Sequence, residues 1–213
     1  MVLILTGTVH SGKTSLLCQL SRELKKLGIG VDGFLSLAVF KSRKRIGYDL
    51  LDLNTETVVP FIRRQGALNC PTVGPYYIQP EILAEAMRKI VGHQTRDLLI
   101  VDEVGPLEIR GEGLWPALSS ILSRPALRCL LVARRGILED LRRLIVGSPV
   151  RIFDIEDRAV YAELLAAIQE KARSLTPPEG PRRHSRKAMS KRTNGPGKID
   201  DHEERPRCGI RRN

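Results

Sequence analysis

The sequence predicts an α/β fold with a largely parallel central sheet. Three observations carry that reading. Short β-branched runs alternate with helical patterns over residues 1–174. A glycine-rich octet joins the first apolar run to the first amphipathic pattern. A later apolar run, Leu98 to Val101, ends on two carboxylates, Asp102 and Glu103.

Val2 to Thr6 reads as a buried strand. Over residues 13–27, Leu16, Leu17, Leu20, Leu24 and Leu27 recur at helical spacing, and Gly28 supplies the stop. Val31 to Leu37 predicts a second strand, and Val39 to Leu53 a hairpin turning on Lys41-Ser42-Arg43-Lys44. Pro80 to Val91 predicts a helix, Leu98 to Asp102 a continuous apolar strand and Glu112 to Leu122 another helix. The remaining elements are a strand at Leu127 to Ala133, a helix at Ile137 to Val146, a strand at Val150 to Phe153 and a closing helix from Glu156 to Arg173.

With 213 residues, 42% hydrophobic and 28% charged, the chain suits one globular domain, expected over residues 1–174. Residues 175–213 differ in composition: they hold no aromatic residue, open on Pro177-Pro178-Glu179-Gly180-Pro181 and carry eleven Lys and Arg against five Asp and Glu. Such a segment buries too little apolar surface to offset the entropy of ordering, and a disordered basic tail is expected. The tail accounts for more than half of the formal net charge of +11 and is the place where contact with nucleic acid would arise.

No apolar run approaches the roughly 18 residues of a membrane span, and Met1-Val2-Leu3-Ile4-Leu5 lacks the flanks of a signal peptide. A cytoplasmic protein without membrane contact is expected. Cys18, Cys70, Cys129 and Cys208 form no Cys-x-x-Cys pair, which argues against a disulfide framework or a zinc site.

Gly7-Thr8-Val9-His10-Ser11-Gly12-Lys13-Thr14 matches the Gly-x-x-x-x-Gly-Lys-Ser/Thr loop without a gap. Chance produces that pattern in on the order of one chain per hundred of this length. Here it follows an apolar strand and opens an amphipathic helix, where backbone N–H groups turn around phosphate oxygens at a helix N-terminus. Lys13 is expected to bridge the β- and γ-phosphates, and the Thr14 hydroxyl to ligate Mg²⁺. His10 occupies one of the variable positions and is read as filler.

A buried strand that ends in acid is poor packing unless its charge is compensated. Asp102 is expected to hold Mg²⁺ through water, and Glu103 to orient or deprotonate the attacking water, with Val104 and Gly105 completing the nucleotide-site segment. Glu108 follows at the strand's C-terminal edge, either as a further acid of the site or as a surface residue. Phosphoryl transfer also gains from a cation beside the γ-phosphate. Arg45, Arg63-Arg64 and Arg134-Arg135 are the candidates, and we take Arg45 as the catalytic one.

The octet, together with Val31-Asp32-Gly33-Phe34, Arg45-Ile46-Gly47-Tyr48-Asp49, Gly74-Pro75-Tyr76-Tyr77 and the stretch from Val101 to Glu108, resembles the nucleoside-triphosphatase family that includes the human cancer-related nucleoside-triphosphatase and its thermophile relatives. The resemblance covers about residues 1–172. It implies a three-layer, RecA-like P-loop NTPase fold and hydrolysis of nucleoside 5′-triphosphates, with Gly7 to Thr14 and Leu98 to Gly105 as the two nucleotide-site elements. Three departures stand out. Leu35-Ser36-Leu37 follows Gly33-Phe34 where members often have Thr-Glu, the octet lacks a central Pro-Gly, and Ala133-Arg134 stands where a Thr is common.

The function expected from sequence is therefore Mg²⁺-dependent hydrolysis of ATP, GTP and other nucleoside triphosphates, by a monomer. The alternatives are a nucleotide or nucleoside kinase and a nucleotide-controlled module that grips nucleic acid with the basic tail.

Overall fold

The computed structural model describes residues 1–66, 70–93, 98–124 and 127–175. The tail from 176 onward, and Cys208 within it, lie outside the described residues. Among the described residues nine strands form one sheet: β1 (Val2–Gly7), β2 (Val31–Lys41), β3 (Lys44–Asp52), β4 (Val58–Arg63), β5 (Thr72–Val73), β6 (Tyr76–Ile78), β7 (Leu98–Val104), β8 (Cys129–Arg134) and β9 (Val150–Asp154). Their spatial order is β5-β6-β4-β3-β2-β7-β8-β1-β9. From β2 to β9 every neighbouring pair is parallel. Strands β3 to β6 extend that sheet as an antiparallel wing.

The apolar runs of β1, β7 and β8 are continuous because both faces of this part of the sheet are covered. Leu3, Leu5, Leu98, Ile100, Leu130 and Val132 pack with Leu17, Leu20 and Leu24 of α1 (Lys13–Lys26) and with Leu164 and Ile168 of α6 (Val160–Leu175). Alternate residues Ile4, Leu99, Val101 and Leu131 pack on the opposite face, with Ala86 and Ile90 of α2 (Pro80–Gly92), Leu118 and Ile121 of α4 (Trp115–Leu122) and Leu141 of α5 (Leu138–Leu144). Helix, sheet and helix thus make three layers.

The structure redraws several boundaries. The expected second strand and the first arm of the hairpin are one strand, β2, and the turn narrows to Ser42 and Arg43, both with positive φ (47° and 62°). Two left-handed residues match the twist that a two-residue hairpin needs. The Val58 to Ile62 run becomes β4 although it contains Pro60, because the β3–β4 ladder shifts register between Tyr48 and Asp49 and accommodates a residue without an N–H there. The short helix α3 (Pro106–Ile109) follows β7, and α4 begins at Trp115 rather than Glu112. The closing helix starts at Val160 rather than Glu156, since the Asp154 and Asp157 carboxylates hold the preceding turn by accepting from the N–H groups of Glu156 and Ala159.

Gly33 sets how closely β2 approaches β7. Its φ is +99°, and a Cβ there would overlap the Ile100 carbonyl. Among the described residues no helix is long and apolar enough to cross a membrane.

Candidate active site

A cleft of about 740 Å³ opens at the C-terminal ends of the parallel strands. Residues Val9 to Thr14 line one wall and Asp102 to Gly105 another. Gly7 and Thr8 belong to the same loop, and their carbonyls face inward to the Lys13 ammonium.

The loop's geometry follows from its glycine and its short side chains. Gly12 has φ +90° and stands just before α1, so the chain turns into the helix through a left-handed residue. Ser11 Oγ donates to the Thr8 carbonyl at 2.8 Å. Lys13 Nζ donates to the carbonyls of Thr8 at 2.6 Å and Gly7 at 3.3 Å, and to Ser11 Oγ at 3.3 Å. Partial desolvation holds the Lys13 ammonium below its ordinary pKa, against the opposing pull of Asp102 and Glu103.

At the end of β7 the pairing with β8 skips from Val101–Leu131 to Val104–Ala133, a β-bulge that leaves two residues of β7 against one of its partner. Val101 and Val104 both join the α2/α4 face of the core. Between them Asp102 turns inward, only 2% exposed, while Glu103 has φ +63° and opens into the cleft. A left-handed glutamate is strained, and strain of this kind gathers at functional sites.

Asp102 Oδ2 accepts from the Thr14 hydroxyl at 2.9 Å and from the Ser36 backbone N–H at 3.2 Å. Burial, with the neighbouring Glu103 charge, still raises its pKa to about 7. The pair is hard-oxygen chemistry: one hydroxyl and one carboxylate whose negative charge the protein leaves undercompensated. Among the described residues no group of three or more His, Cys, Asp or Glu converges on a metal site. Two protein ligands of this type suit Mg²⁺, which keeps several waters or takes substrate phosphate oxygens, and do not suit zinc or a calcium cage.

Desolvation by the cleft walls holds the Glu103 carboxyl above the usual carboxylate range, while Arg134, Arg45 and Lys13 pull it down. Glu108 is not a surface residue. It is 5% exposed, with Oε2 accepting from the Gly105 N–H at 2.8 Å and Oε1 from the Leu114 N–H at 3.0 Å. It therefore ties the exit of β7 to the start of α4.

The arginine candidates separate. Arg45 and Arg134 line the cleft. Arg45 donates to the Tyr48 hydroxyl, lies 5.4 Å from that ring's centroid and places Nη2 3.2 Å from His10 Nε2. Arg63 is held by Asp49 and the Tyr48 carbonyl, Arg64 donates to the Arg45 carbonyl at 3.1 Å, and Arg135 pairs with Asp154 and Glu156.

A family model described as NTPase matches residues 2–163. The chain belongs to the NTPase family. Relatives called nucleoside-triphosphatase THEP1 include one from Pyrobaculum islandicum, 29% identical over 66% of this chain and 78% of that protein, and one from Archaeoglobus fulgidus, 29% identical over 80% and 99%. A third, from Hyperthermus butylicus, is 33% identical over 56% of this chain and 64% of its own length. The solution structure of a human cancer-related nucleoside triphosphatase superposes with a TM-score of 0.61 at 24% identity, covering 82% of this chain and 98% of that one. The crystal structure of THEP1 from Aquifex aeolicus gives 0.57 at 19% identity, covering 79% and 99%. Those two likenesses show that the chain shares the fold of these proteins.

In this NTPase the sequence-expected residues Val9 to Thr14 and Asp102 to Gly105 line one cleft, Gly7 and Thr8 stand in the same loop with their carbonyls on Lys13, and Arg45 reaches the cleft from β3. Two participants escaped the sequence reading. Ser36 donates to Asp102 through its backbone, which no side-chain pattern announces. His10, read as filler, contacts Arg45 across 35 positions.

Proposed function

We propose that this NTPase hydrolyses nucleoside 5′-triphosphates, ATP and GTP among them, to the diphosphate and phosphate with Mg²⁺ as cofactor. The observation that carries the reading is the 2.9 Å contact between Thr14 Oγ1 and Asp102 Oδ2, one oxygen from the phosphate-loop helix and one from the acidic strand end. Thr14 and Asp102 would hold the ion, which supplies Lewis-acid neutralisation of phosphate charge when bound. The N–H groups of the Val9 to Thr14 turn cradle the phosphates, and Lys13 exchanges its loop carbonyls for β- and γ-oxygens. Glu103, aimed into the cleft by the bulge, orients water and accepts its proton; burial raises its pKa and so makes it a stronger base than a free carboxylate. Arg45 adds positive potential at the opposite wall.

Phosphate release measured over ATP, GTP, CTP and UTP, with and without Mg²⁺, tests this reading. Metal-dependent release supports it, and no release from any of the four overturns it. The unpaired thiols of Cys18, Cys70 and Cys129 support a reducing, cytoplasmic setting.

One observation favours a second reading. Beyond Glu103 the cleft continues between apolar side chains, among them Val73, Tyr76, Leu107 and Leu114, and gives more room than one water needs. An organic hydroxyl could take the water's place, as in a nucleoside kinase. Labelled γ-phosphate appearing on an added nucleoside rather than as free phosphate would separate the two.

A further inference from the structure

Strand β8 lies between the phosphate-loop strand β1 and the acidic strand β7. Its last residue, Arg134, pairs in register with Gly7, which opens the octet, and the preceding Ala133 pairs with Val104 just past the bulge. The backbone therefore carries this guanidinium to the gap between Lys13 and Glu103, and its side chain lines the cleft.

The next residue shows what an ordinary surface arginine does here. Arg135 is spent on an ion-pair cluster, with Nη2 2.7 Å from Asp154 Oδ2 and 2.9 Å from Glu156 Oε2. Arg134 has no such partner: among the described residues no carboxylate pairs with it. Arg45, the other arginine on the cleft, is already committed to the Tyr48 hydroxyl and to His10. Of the cations acting on Glu103, Arg134 is the strongest, and it also bears on Lys13 as a like charge. Lys13 and Arg134 are like charges facing the same cleft, with the Glu103 carboxylate acting on both, and a polyanion entering the cleft would meet the two cations together.

We propose that Arg134 is a catalytic residue, the arginine that binds the γ-phosphoryl group and stabilises the charge that develops on it during hydrolysis. The proposal rests on the hydrolytic reading above. In the step, the water oxygen forms a bond to the γ-phosphorus, the bond from phosphorus to the β–γ bridging oxygen breaks, and the water's proton passes to Glu103. Arg134 transfers no proton; it donates N–H bonds to γ-oxygens, and its planar fork suits that geometry better than a lysine would. Triphosphate arrival also draws Arg134 away from Glu103 and leaves that carboxylate to the water.

The test uses the full chain and three variants, Arg134→Ala, Arg134→Lys and Lys13→Ala, with Mg²⁺-dependent ATP hydrolysis and the affinities for ATP and ADP as readouts. For Arg134→Ala the expected result is a fall in kcat of about 100-fold or more, with ATP affinity falling toward that of ADP while ADP affinity holds. Guanidinium ion added to the buffer restores part of the Arg134→Ala rate and none of the Lys13→Ala rate, and Arg134→Lys recovers little. An Arg134→Ala rate within about twofold of the parent overturns the proposal, as does an equal loss of ATP and ADP affinity without guanidinium rescue. A parent chain that releases no phosphate would instead sink the hydrolytic reading. Because the Arg134 side chain is exposed at a strand end, the two Arg134 variants retain the parent's thermal unfolding midpoint.

Discussion

The Thr14 hydroxyl donates to Asp102 Oδ2 at 2.9 Å, joining the first turn of α1 to the end of β7 across 88 positions of sequence. Asp102 is the more deeply buried partner, at 2% exposure, and the N–H of Ser36 completes its grip. These contacts fix both oxygens of the proposed metal position.

Removing Asp102 should therefore act on the metal before it acts on the fold. In Asp102→Ala the concentration of Mg²⁺ that supports half-maximal hydrolysis rises by about tenfold or more, and Mg²⁺ with ADP ceases to raise the unfolding temperature. Titration of both activities against Mg²⁺, with a thermal melt at each concentration, checks this.

Lys13 and Glu103 should fail in different ways. Lys13→Ala should weaken triphosphate binding and turnover together, since in the proposed mechanism the ammonium contacts phosphates in both ground and transition states. Glu103→Gln keeps binding and lowers kcat by roughly 100-fold or more. Calorimetric titration with a non-hydrolysable triphosphate, beside steady-state kinetics, tells the two apart; equal kcat for Glu103→Gln and the parent would remove Glu103 from the base role.

Gly33 tests the fold independently of chemistry. With φ +99° and the Ile100 carbonyl in the space a Cβ would fill, Gly33→Ala must push β2 from β7. A loss of about 2 kcal/mol or more in urea unfolding is expected, with reduced hydrolysis because the Ser36 N–H moves off Asp102.

Acid stability should trace to Asp32. Burial favours its protonated form, but hydrogen bonds from His93 and Lys89 and from the Gly33 N–H prevail and hold the carboxyl well below its ordinary value of 3.8. A lowered folded pKa contributes stability that is present above the ordinary value and lost as pH falls below it. Asp32→Asn should accordingly be less stable than the parent at pH 7, with the gap closing below pH 4; urea midpoints measured from pH 7 to 2 follow it.

The site's contiguous parts were legible in sequence because their chemistry is local. The octet carries its own glycines, lysine and hydroxyl, and Leu98 to Glu103 shows apolar burial and acid in one run. What stayed hidden depends on pairing between distant segments. The bulge at Asp102 and Glu103 exists only against β8, so neither Glu103's left-handed backbone nor its aim was readable. Strand β4 was obscured by Pro60, and β5 and β6, two and three residues long, fall below any periodic signal. Glu108 reads as an acid on a loop, and only the fold brings the Leu114 N–H to it. The alternation of apolar runs and helical patterns sufficed for the layers, while the antiparallel wing, whose hairpin alone was foreseen, needed the ladder itself.

That wing is continuous with the nucleotide half. β3 bonds to β2 along its length, and β2 bonds to β7 over Val31 to Phe34, so the strand bearing Arg45 and the strand bearing Glu103 belong to one sheet. Under the proposed function a nucleotide would enter a cleft whose two walls share one sheet, and differences in turnover among nucleotides would then be sought in its side chains and the glycine-rich turn.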